Sequence, residues 1–383
     1  SIYTGGIGTL LTSFLNSRER GKDIQNICLQ CGTCNTVCGG KLDIAGMILK
    51  LRTKFAQEDG LNPVHKFCLD TVADRHLFHS MLRIASVAQG MITKGQPMIR
   101  HLPMFLSGLT AGRSLPSVAP QPFRDILPTI KQDVPNPKGK IAIFTGCLLD
   151  FVYVDIATDV VKALNMAGYI VEMPLGQACC GAPATYMGDV ENAKKAAEMN
   201  LNAMEAEKYD YIVSACPTCT HALRDYVDFF KDDPEMLKKA EELRSKTFDF
   251  CKLVSMLGGL PDTGDGVPMK VTYHDSCHLN RYLGVTKEQR ELLKATKGVE
   301  LIEMHDCDKC CGFGGSYSVK FPEMSAPILE EKINNIVASG ADVVAVDCPG
   351  CLLQIRGGLD ARGLNNIQVK HTAQIVVEKR EKK

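Results

Sequence analysis

The residues most able to do chemistry in this sequence are its 17 cysteines. Four of them form the compact motif Cys28-x2-Cys31-x2-Cys34-x3-Cys38. Thiolates at this spacing hold one 4Fe–4S cluster with the first three cysteines, while the fourth ligates a second cluster. We therefore expect a cubane cluster at Cys28, Cys31 and Cys34, and a second cubane at Cys38 whose other ligands lie on an upstream segment or another chain. A zinc site or structural thiols are the alternatives.

Ten further cysteines form two similar sets, each with a single cysteine, a Cys-Cys-Gly motif and a Cys-x2-Cys motif. The first set is Cys147, Cys179, Cys180, Cys216 and Cys219; the second is Cys277, Cys310, Cys311, Cys348 and Cys351. The offsets between corresponding cysteines are 130, 131, 131, 132 and 132, which predicts an internal duplication. Tetrahedral zinc uses four ligands and each set has five, so we favour iron–sulfur clusters. Zinc in one set and a redox disulfide in a Cys-x2-Cys motif remain alternatives.

The local sequence around these cysteines predicts where they lie. Adjacent cysteines cannot both point into a packed core, so we expect the two pairs on loops, where Gly181 and Gly312 allow a positive φ. Each Cys-x2-Cys motif follows a β-rich run, at 209–213 and 342–346. Open α/β sheets bind their ligands at such carboxyl ends of strands.

The elements around the cysteines repeat as well. Further β-rich runs at 140–144 and 270–273 alternate with helix-period segments at 155–166, 191–207 and 288–295. This alternation predicts an α/β fold with duplicated domains and parallel sheets. We expect a small helical ferredoxin-like segment at 1–75, with a helix at 45–56, a helical and extended connector at 76–139, a first cysteine-rich domain at 140–262 and a second at 263–383. Gly168 and Gly298 are expected to end helices.

The duplicated pattern resembles the cysteine-rich "CCG" domain of heterodisulfide reductase, glycolate oxidase and lactate-utilisation iron–sulfur subunits. In the reductase branch five cysteines per domain hold a noncubane 4Fe–4S cluster, so the resemblance implies two such clusters here. The local sequence at 310–315, 318–320, 322–323, 351–358 and 276–279 with Arg281 is similar to LutA-type lactate-utilisation proteins.

The beginning of the chain resembles a second protein family. Residues 2–8 and the first cysteine motif are similar to the C-terminal part of the LutB-type partner, so the chain resembles a LutB end fused to LutA. In that family a first cluster motif precedes this segment. Cys216-Pro-Thr-Cys219 is closer to the heterodisulfide reductase pattern.

Composition argues against several other classes of protein. Lys plus Arg and Asp plus Glu both number 44, and no basic stripe accompanies this balance, so nucleic acid is not expected as a partner. The apolar runs are too short for a transmembrane span. We expect a cytoplasmic protein, because a cytosolic chain keeps its thiols reduced. Contact with the inner face of the membrane would be peripheral, through partners. The Met-rich region 76–115 is expected to dock a partner.

Few other residues indicate chemistry. No dinucleotide-binding or phosphate-binding glycine motif is well placed, so a flavin or further iron–sulfur subunit is expected as the partner. Among the histidines, His278 is the candidate for hydrogen bonding to a cluster or moving protons, while His274 and His305 are expected to be ordinary polar residues. Cys68, Cys251 and Cys307 are expected to be structural, with Cys307 close enough to substitute as a ligand.

The resemblance implies an oxidoreductase subunit that is NAD-independent. It would relay electrons from lactate (or another 2-hydroxy acid) to an acceptor, with the catalytic centre possible on another subunit. The alternative is a heterodisulfide-reductase-like subunit that reduces a disulfide at noncubane clusters. A zinc-stabilised scaffold that docks other subunits is a third hypothesis. The composition alone supports only a soluble chain with a redox role.

Overall fold

The N-terminal segment is helical. In the computed structural model the described residues are 5–15, 17–90, 98–100, 113–261 and 266–380. Residues 5–90 contain the helices α1 (Gly5–Leu15), α2 (Arg18–Asn26), α3 (Thr33–Val37), α4 (Ile44–Asp59), α5 (Pro63–Ala73) and α6 (Arg75–Ala88). Side chains of Ser17, Asp43, Asn62 and Asp74 accept backbone N–H groups at the starts of α2, α4, α5 and α6. The helix expected at 45–56 is the central part of α4.

The connector contains few regular elements among its described residues. The short strands β1 (Met98–Ile99) and β2 (Leu115–Pro116) pair antiparallel, and α7 (Phe123–Ile126) runs into a 3-10 turn at Leu127–Thr129. Helix α6 agrees with the expected helical start of this region. The rest of the Met-rich region, at 91–97 and 101–112, lies outside the described residues, as do residues 2–4 of the LutB-like sequence.

The first cysteine-rich half is a parallel sheet covered by helices. Its strands are β3 (Gly139–Ile143), β4 (Tyr169–Glu172), β5 (Tyr211–Ser214) and β6 (Thr247–Asp249), in the order β4-β3-β5-β6. Ile141 pairs with Val171 on one side and Tyr211 on the other. The helices are α8 (Leu148–Phe151), α9 (Val154–Met166), α10 (Ala182–Met187), α11 (Val190–Met204), α12 (Pro217–Asp225), α13 (Pro234–Lys246) and α14 (Phe250–Met256).

The second half repeats this topology. Its strands are β7 (Met269–His274), β8 (Val299–Leu301), β9 (Val343–Val346) and β10 (Gln368–Lys370), in the order β8-β7-β9-β10, again all parallel. A π-helical turn at His278–Tyr282 follows β7, and the helices are α15 (Glu288–Lys294), α16 (Tyr317–Lys320), α17 (Pro322–Ser339), α18 (Pro349–Ala361) and α19 (Thr372–Arg380). The predicted α/β fold with two parallel-sheet repeats is confirmed.

Several short elements depart from the sequence expectation. The outer strands β4, β6, β8 and β10 are three or four residues long and were not predicted. The helix expected at 191–207 ends at Met204 because Glu205 adopts a positive φ of 41°. Gly168 lies just beyond the end of α9 with a φ of +94°, as expected for a residue that stops a helix. Gly298 has a φ of +84° but lies in the turn before β8, because α15 already ends at Lys294.

The main core joins the two halves. One continuous cluster of buried apolar side chains includes Phe144 and Val160 of the first half and Ile333 and Leu352 of the second. A separate small core beneath the N-terminal cysteine loop contains Leu10, Ile44, Ile48, Leu51 and Phe55. The two sheets are therefore held against each other with their cysteine loops on one side of a shared core.

Candidate metal centre

Two cysteines of each set follow the central strands of the corresponding sheet. Cys147 and Cys216 come after the neighbouring strands β3 and β5, and Cys277 and Cys348 come after β7 and β9. At such positions the chain leaves two adjacent parallel strands for opposite faces of the sheet, which opens a crevice at their carboxyl ends. Both halves therefore present their thiols at the site where this fold usually binds ligands.

The ten cysteines of the two halves form one continuous row of thiols. Each thiol is in hydrogen-bonding contact with the next in the order Cys147, Cys179, Cys180, Cys219, Cys216, Cys348, Cys351, Cys311, Cys310 and Cys277. The contact between Cys216 and Cys348 joins the two Cys-x2-Cys motifs across the boundary between the halves. The sequence predicted two sets, and the structure brings them together at one place.

Electrostatics prevents this row from ionising as a whole. Contacts with Cys180 and Cys216, together with burial, raise the pKa of Cys219 well above its usual value. Contacts with Cys216 and Cys351 instead lower the pKa of Cys348. Each thiolate is stabilised by a neighbour that keeps its proton, and further ionisation needs positive charge. Soft thiolates in this number fit iron–sulfur clusters, and zinc could occupy part of the row.

The Cys-Cys-Gly loops have the conformation expected of them. Gly181 and Gly312 have φ values of +80° and +83°. Cys179 and Cys180 lie on a loop, and both are nevertheless buried. They are buried because they line the crevice between the halves, where both thiols face neighbouring thiols rather than an apolar core.

Buried polar side chains hold the first of these loops in place. Asn200 donates to the backbone oxygen of Cys179 at 2.9 Å, and the Tyr226 hydroxyl donates to the backbone oxygen of Cys180 at 2.9 Å. In the second half the buried Lys332 ammonium donates to the backbone oxygens of Asp306 and Cys307 at 2.6 and 3.3 Å. The Ser325 hydroxyl donates to the backbone oxygen of Gly312 at 2.8 Å. Neutral groups thus hold both Cys-Cys-Gly loops, and only the second half adds a cation at the segment that precedes its loop.

The N-terminal cysteine loop contacts this crevice. Charge on Cys28 and Cys31, after the larger effect of burial, raises the pKa of Cys34, so these three thiols are close together. Cys38 is half-buried and packs on the small N-terminal core. Cys28 and Cys31 also line the cavity that contains the ten-thiol row. Two of the three proposed cubane ligands therefore face the other cysteines.

Three side chains fix this loop against the two halves. Arg52 donates to the backbone oxygens of Gln25, Cys28 and Tyr186 at 2.5, 3.1 and 2.6 Å. Tyr282 donates to the backbone oxygen of Gln30 at 3.0 Å. Arg281 lies 3.5 Å from both the backbone oxygen of Cys31 and the sulfur of Cys277, which links the first cysteine motif directly to the second half.

A cavity of about 680 Å³ opens between the N-terminal segment and the two halves. The thiol row forms one wall, and Tyr317, Phe321, His65 and Lys320 contribute to the others. Burial and the nearby Arg52 lower the pKa of Lys320. A cavity with two cationic side chains beside many thiols has room for clusters and for a small anion.

The histidine candidates differ in their surroundings. His278 lines the cavity, with its Nε2 2.6 Å from the Tyr186 hydroxyl and its Nδ1 3.4 Å from the Thr218 hydroxyl. Burial, followed by the charge of His221, lowers its pKa to about 4. His305 is exposed and pairs with Asp306, away from the cavity. The structure thus brings His278 to the site and leaves His305 outside it.

The three remaining cysteines lie outside the thiol row. Cys68 is exposed on α5. Cys251 is buried and contacts a carboxylate oxygen of Asp347 at 3.6 Å. Cys307 contacts Asp275 and Arg290, and its pKa is raised to about 11, chiefly by burial. Its placement with a carboxylate and a guanidinium does not favour the suggestion that it substitutes as a ligand.

Several residues that shape the site were missed in the sequence. Tyr186, Tyr282, Asn200 and Lys332 carry no motif, and His274 was treated as an ordinary polar residue. One signal was available. When the sequences of the two halves are aligned with the offset of 130, His274 corresponds to Phe144. The second half thus has a polar residue where the first has an apolar one.

The described helices include none that is long and apolar enough to cross a membrane.

The fold and cysteine arrangement match a known class of domain. The profile of the family described as "Cysteine-rich domain" (CCG) matches residues 141–224 and 271–356, one match in each half. Over 240 residues, covering 62% of this chain and 99% of the relative, the sequence is 39% identical to lactate utilization protein A of Shouchella clausii. The chain belongs to the family of CCG-domain proteins that includes lactate utilization protein A.

Two proteins of Bacillus subtilis extend this comparison. Its lactate utilization protein A is 36% identical over 238 residues, which is 62% of this chain and 98% of the relative. Its probable glycolate oxidase iron-sulfur subunit is 30% identical over 375 residues, which is 94% of this chain and 84% of the relative. The second alignment includes most of the N-terminal segment, so that segment and the two halves also occur together in one relative.

Proposed function

We propose that this chain is the iron–sulfur electron-transfer subunit of a complex that oxidises lactate or a related 2-hydroxy acid. The observation that carries the proposal is the row of ten thiols, with Cys28 and Cys31 in the same cavity. Relatives named for lactate utilization and glycolate oxidase support the substrate class. We further propose a cytoplasmic location, because the chain relies on free thiols.

The cysteines of the three groups would hold the clusters. Cys28, Cys31 and Cys34 fit one cubane, Cys38 is assigned to a cubane completed elsewhere, and each CCG half offers five thiols for a noncubane cluster. Bound clusters supply one-electron redox chemistry. Arg281 and Tyr282 keep the first motif beside the second half. This short separation supports electron transfer between the two regions.

The net reaction requires a partner. Oxidation of lactate to pyruvate releases two electrons and two protons, and the described residues carry no dinucleotide-binding loop. We propose that a flavin or further iron–sulfur subunit provides the other electron-transfer site. We assign proton transfer to His278, and its neutral ring near pH 7 and its contact with Tyr186 support acceptance of a proton at the ring nitrogen that carries no hydrogen.

The first test is the metal content of the full chain purified without oxygen. We expect about twelve irons and as many labile sulfides per chain, from three four-iron clusters. Adding lactate and the partner subunits should reduce the clusters, as measured by EPR. About four irons with one or two zincs would instead mean that the CCG halves are structural, and would overturn the proposal.

A second function is supported by a different observation. The cavity opens onto complete five-cysteine sets in both halves, so a disulfide could reach the thiol row. Reduction of such a disulfide takes two electrons and two protons and yields two thiols. Cluster reoxidation by a disulfide but not by the lactate system's acceptor would favour this heterodisulfide-reductase-like activity.

A further inference from the structure

The buried histidine at the end of β7 has no hydrogen-bond partner among the described residues. His274 is fully buried, and neither its Nδ1 nor its Nε2 has a hydrogen-bond partner. A neutral imidazole has one N–H donor and one acceptor nitrogen, and both are normally satisfied when the ring is buried. Ser276, two residues further along, also has a buried hydroxyl without a partner. These buried polar atoms of the second half therefore need a further group as their partner.

The surroundings of His274 indicate what that group is. One ring nitrogen and the sulfur atoms of Cys311 and Cys351 all lie within 4.8 Å of one another, and all three residues are buried. Imidazole nitrogen and thiolate sulfur together are common ligands of zinc and of iron. The two cysteines belong to the Cys-Cys-Gly and Cys-x2-Cys motifs of the second half, so the nitrogen adds a third donor to an existing thiol set.

The first half has no equivalent. The residue at the corresponding position, with the offset of 130 shared by Cys147 and Cys277, is Phe144. Its ring is fully buried in the main apolar core. The duplication therefore keeps the strand end and the five thiols in both halves, but places a nitrogen donor next to them only in the second.

We propose that His274 is a nitrogen ligand of the metal held by Cys311 and Cys351, which makes the second half a mixed nitrogen and thiolate centre and leaves the first with thiolates only. The inference rests on the proposed iron–sulfur function. A neutral imidazole ligand carries less negative charge than a thiolate, and clusters with imidazole ligands have higher potentials than those with thiolates only. The second centre is then the more oxidising of the two and receives electrons from the first.

The test is pulsed EPR of the full chain, purified without oxygen, reduced with dithionite and carrying ¹⁵N-labelled histidine. We expect a strong nitrogen hyperfine coupling in the wild type and its loss in H274C, which supplies a thiolate instead and keeps the iron. H274F gives the second half the residue pattern of the first and keeps its five cysteines, so it should also lose the coupling while retaining about twelve irons. The matched control is H278F, since the ring nitrogens of His278 contact Tyr186 and Thr218. The nitrogen hyperfine coupling should be unchanged in H278F.

The outcomes separate this inference from the proposed function. If the wild type has its full iron content but lacks the strong nitrogen coupling, or if that coupling persists in H274C, the ligand assignment is overturned and the proposed function stands. If the second half holds zinc, the proposed function fails, and X-ray absorption at the zinc edge decides the ligand. A nitrogen neighbour of zinc that is lost in H274C supports His274 as a ligand, and all-sulfur coordination of zinc overturns that assignment. A second half that binds no metal overturns both.

Discussion

The two CCG halves share a topology and a set of thiols, but they differ in what surrounds the thiols. At four positions related by the offset of 130, the first half has Phe144, Gly146, Leu148 and Phe151, whereas the second has His274, Ser276, His278 and Arg281. The first set is apolar or lacks a side chain, and the second can donate or accept hydrogen bonds. The duplicated scaffold has thus kept its thiols in both halves, while the polar groups beside them are concentrated in the second.

Buried charge is also distributed unequally between the two halves. The second half buries the Lys332 ammonium beside its Cys-Cys-Gly loop, while the first supports its loop with the Asn200 amide. Burial lowers the pKa of Lys332, and the charge of Cys311 opposes that effect. A buried cation and the nearby Arg281 favour added negative charge at the second set of thiols. We infer that electrons are more stable there than in the first half.

The largest expected effect comes from removing one thiol from each half. If each half holds its own four-iron cluster, C180A and C311A should each lose about four of about twelve irons. The matched control is C307A, because Cys307 lies outside the thiol row and contacts Arg290. Iron and sulfide analysis with EPR provides the measurement.

The same pair of variants tests whether the halves are independent. Cys216 and Cys348 are in contact across the boundary. If one centre spans that contact, either variant will lose the metal of both halves. Such a result would contradict the assignment of one cluster to each half.

The sequence predicted the duplication well for physical reasons. Thiol ligands must keep their spacing, so the offsets of 130 to 132 revealed both sets and the strand ends that carry them. The contact between Cys216 and Cys348 could not be predicted, because it depends on how two sheets pack through a shared apolar core. Arg52 and Tyr282 were missed since they bind backbone oxygens, which leave no pattern in the sequence.

The second prediction concerns His278, whose counterpart in the first half is Leu148. If neutral His278 accepts a proton during turnover, H278F should lower kcat of the assembled complex by about 10²- to 10⁴-fold without loss of iron. Steady-state rates and iron analysis provide the test. Y186F, which removes the hydroxyl 2.6 Å from Nε2, should have a smaller effect.

The pH dependence gives this prediction a direction. Burial lowers the pKa of His278 to about 4, so the ring stays neutral at any higher pH and the rate should show no titration near 6.5. A fall in wild-type rate below about pH 6.5 that is absent in H278F would show that the folded histidine titrates at its ordinary value. It would contradict the lowered pKa of the buried ring, and the loss of kcat in H278F would remain the test of its role.

The third prediction compares the two Cys-Cys-Gly loops. Gly181 and Gly312 both have positive φ, so alanine is strained at either position by about 1–2 kcal/mol. A Cβ at 312 would also lie 2.8 Å from the backbone oxygen of Ser325, whereas one at 181 would lie 3.2 Å from the Cβ of Ala196. G312A should therefore unfold at lower denaturant concentration than G181A. Equal midpoints would show that the Ser325 backbone moves aside.

The smallest expected effects lie at the helices that follow the last strand of each half. Asp249 accepts the backbone N–H of Cys251 at 2.9 Å, and His371 accepts that of Ala373 at 3.0 Å through Nδ1. These two residues cap α14 and α19 in the same way. Burial, followed by the charge of Asp347, raises the pKa of Asp249. Burial lowers the pKa of His371.

The two caps should therefore respond to pH in opposite directions. The folded pKa of Asp249 exceeds its unfolded value, so its contribution to stability is complete below that unfolded value and is lost as the pH rises through the folded pKa. His371 is neutral in the folded chain above its lowered pKa, so stability is lost as the pH falls below about 6.5, the unfolded value.

D249N should remove the loss of stability at high pH. At low pH it should lower the free energy of unfolding by about 1 kcal/mol or less, because the amide oxygen can still cap α14. H371N should remove part of the loss at low pH. Urea unfolding midpoints across the pH range measure both effects. If the two variants have parallel pH profiles, Asp249 and His371 affect stability through their interaction with Asp347 rather than by capping the helices.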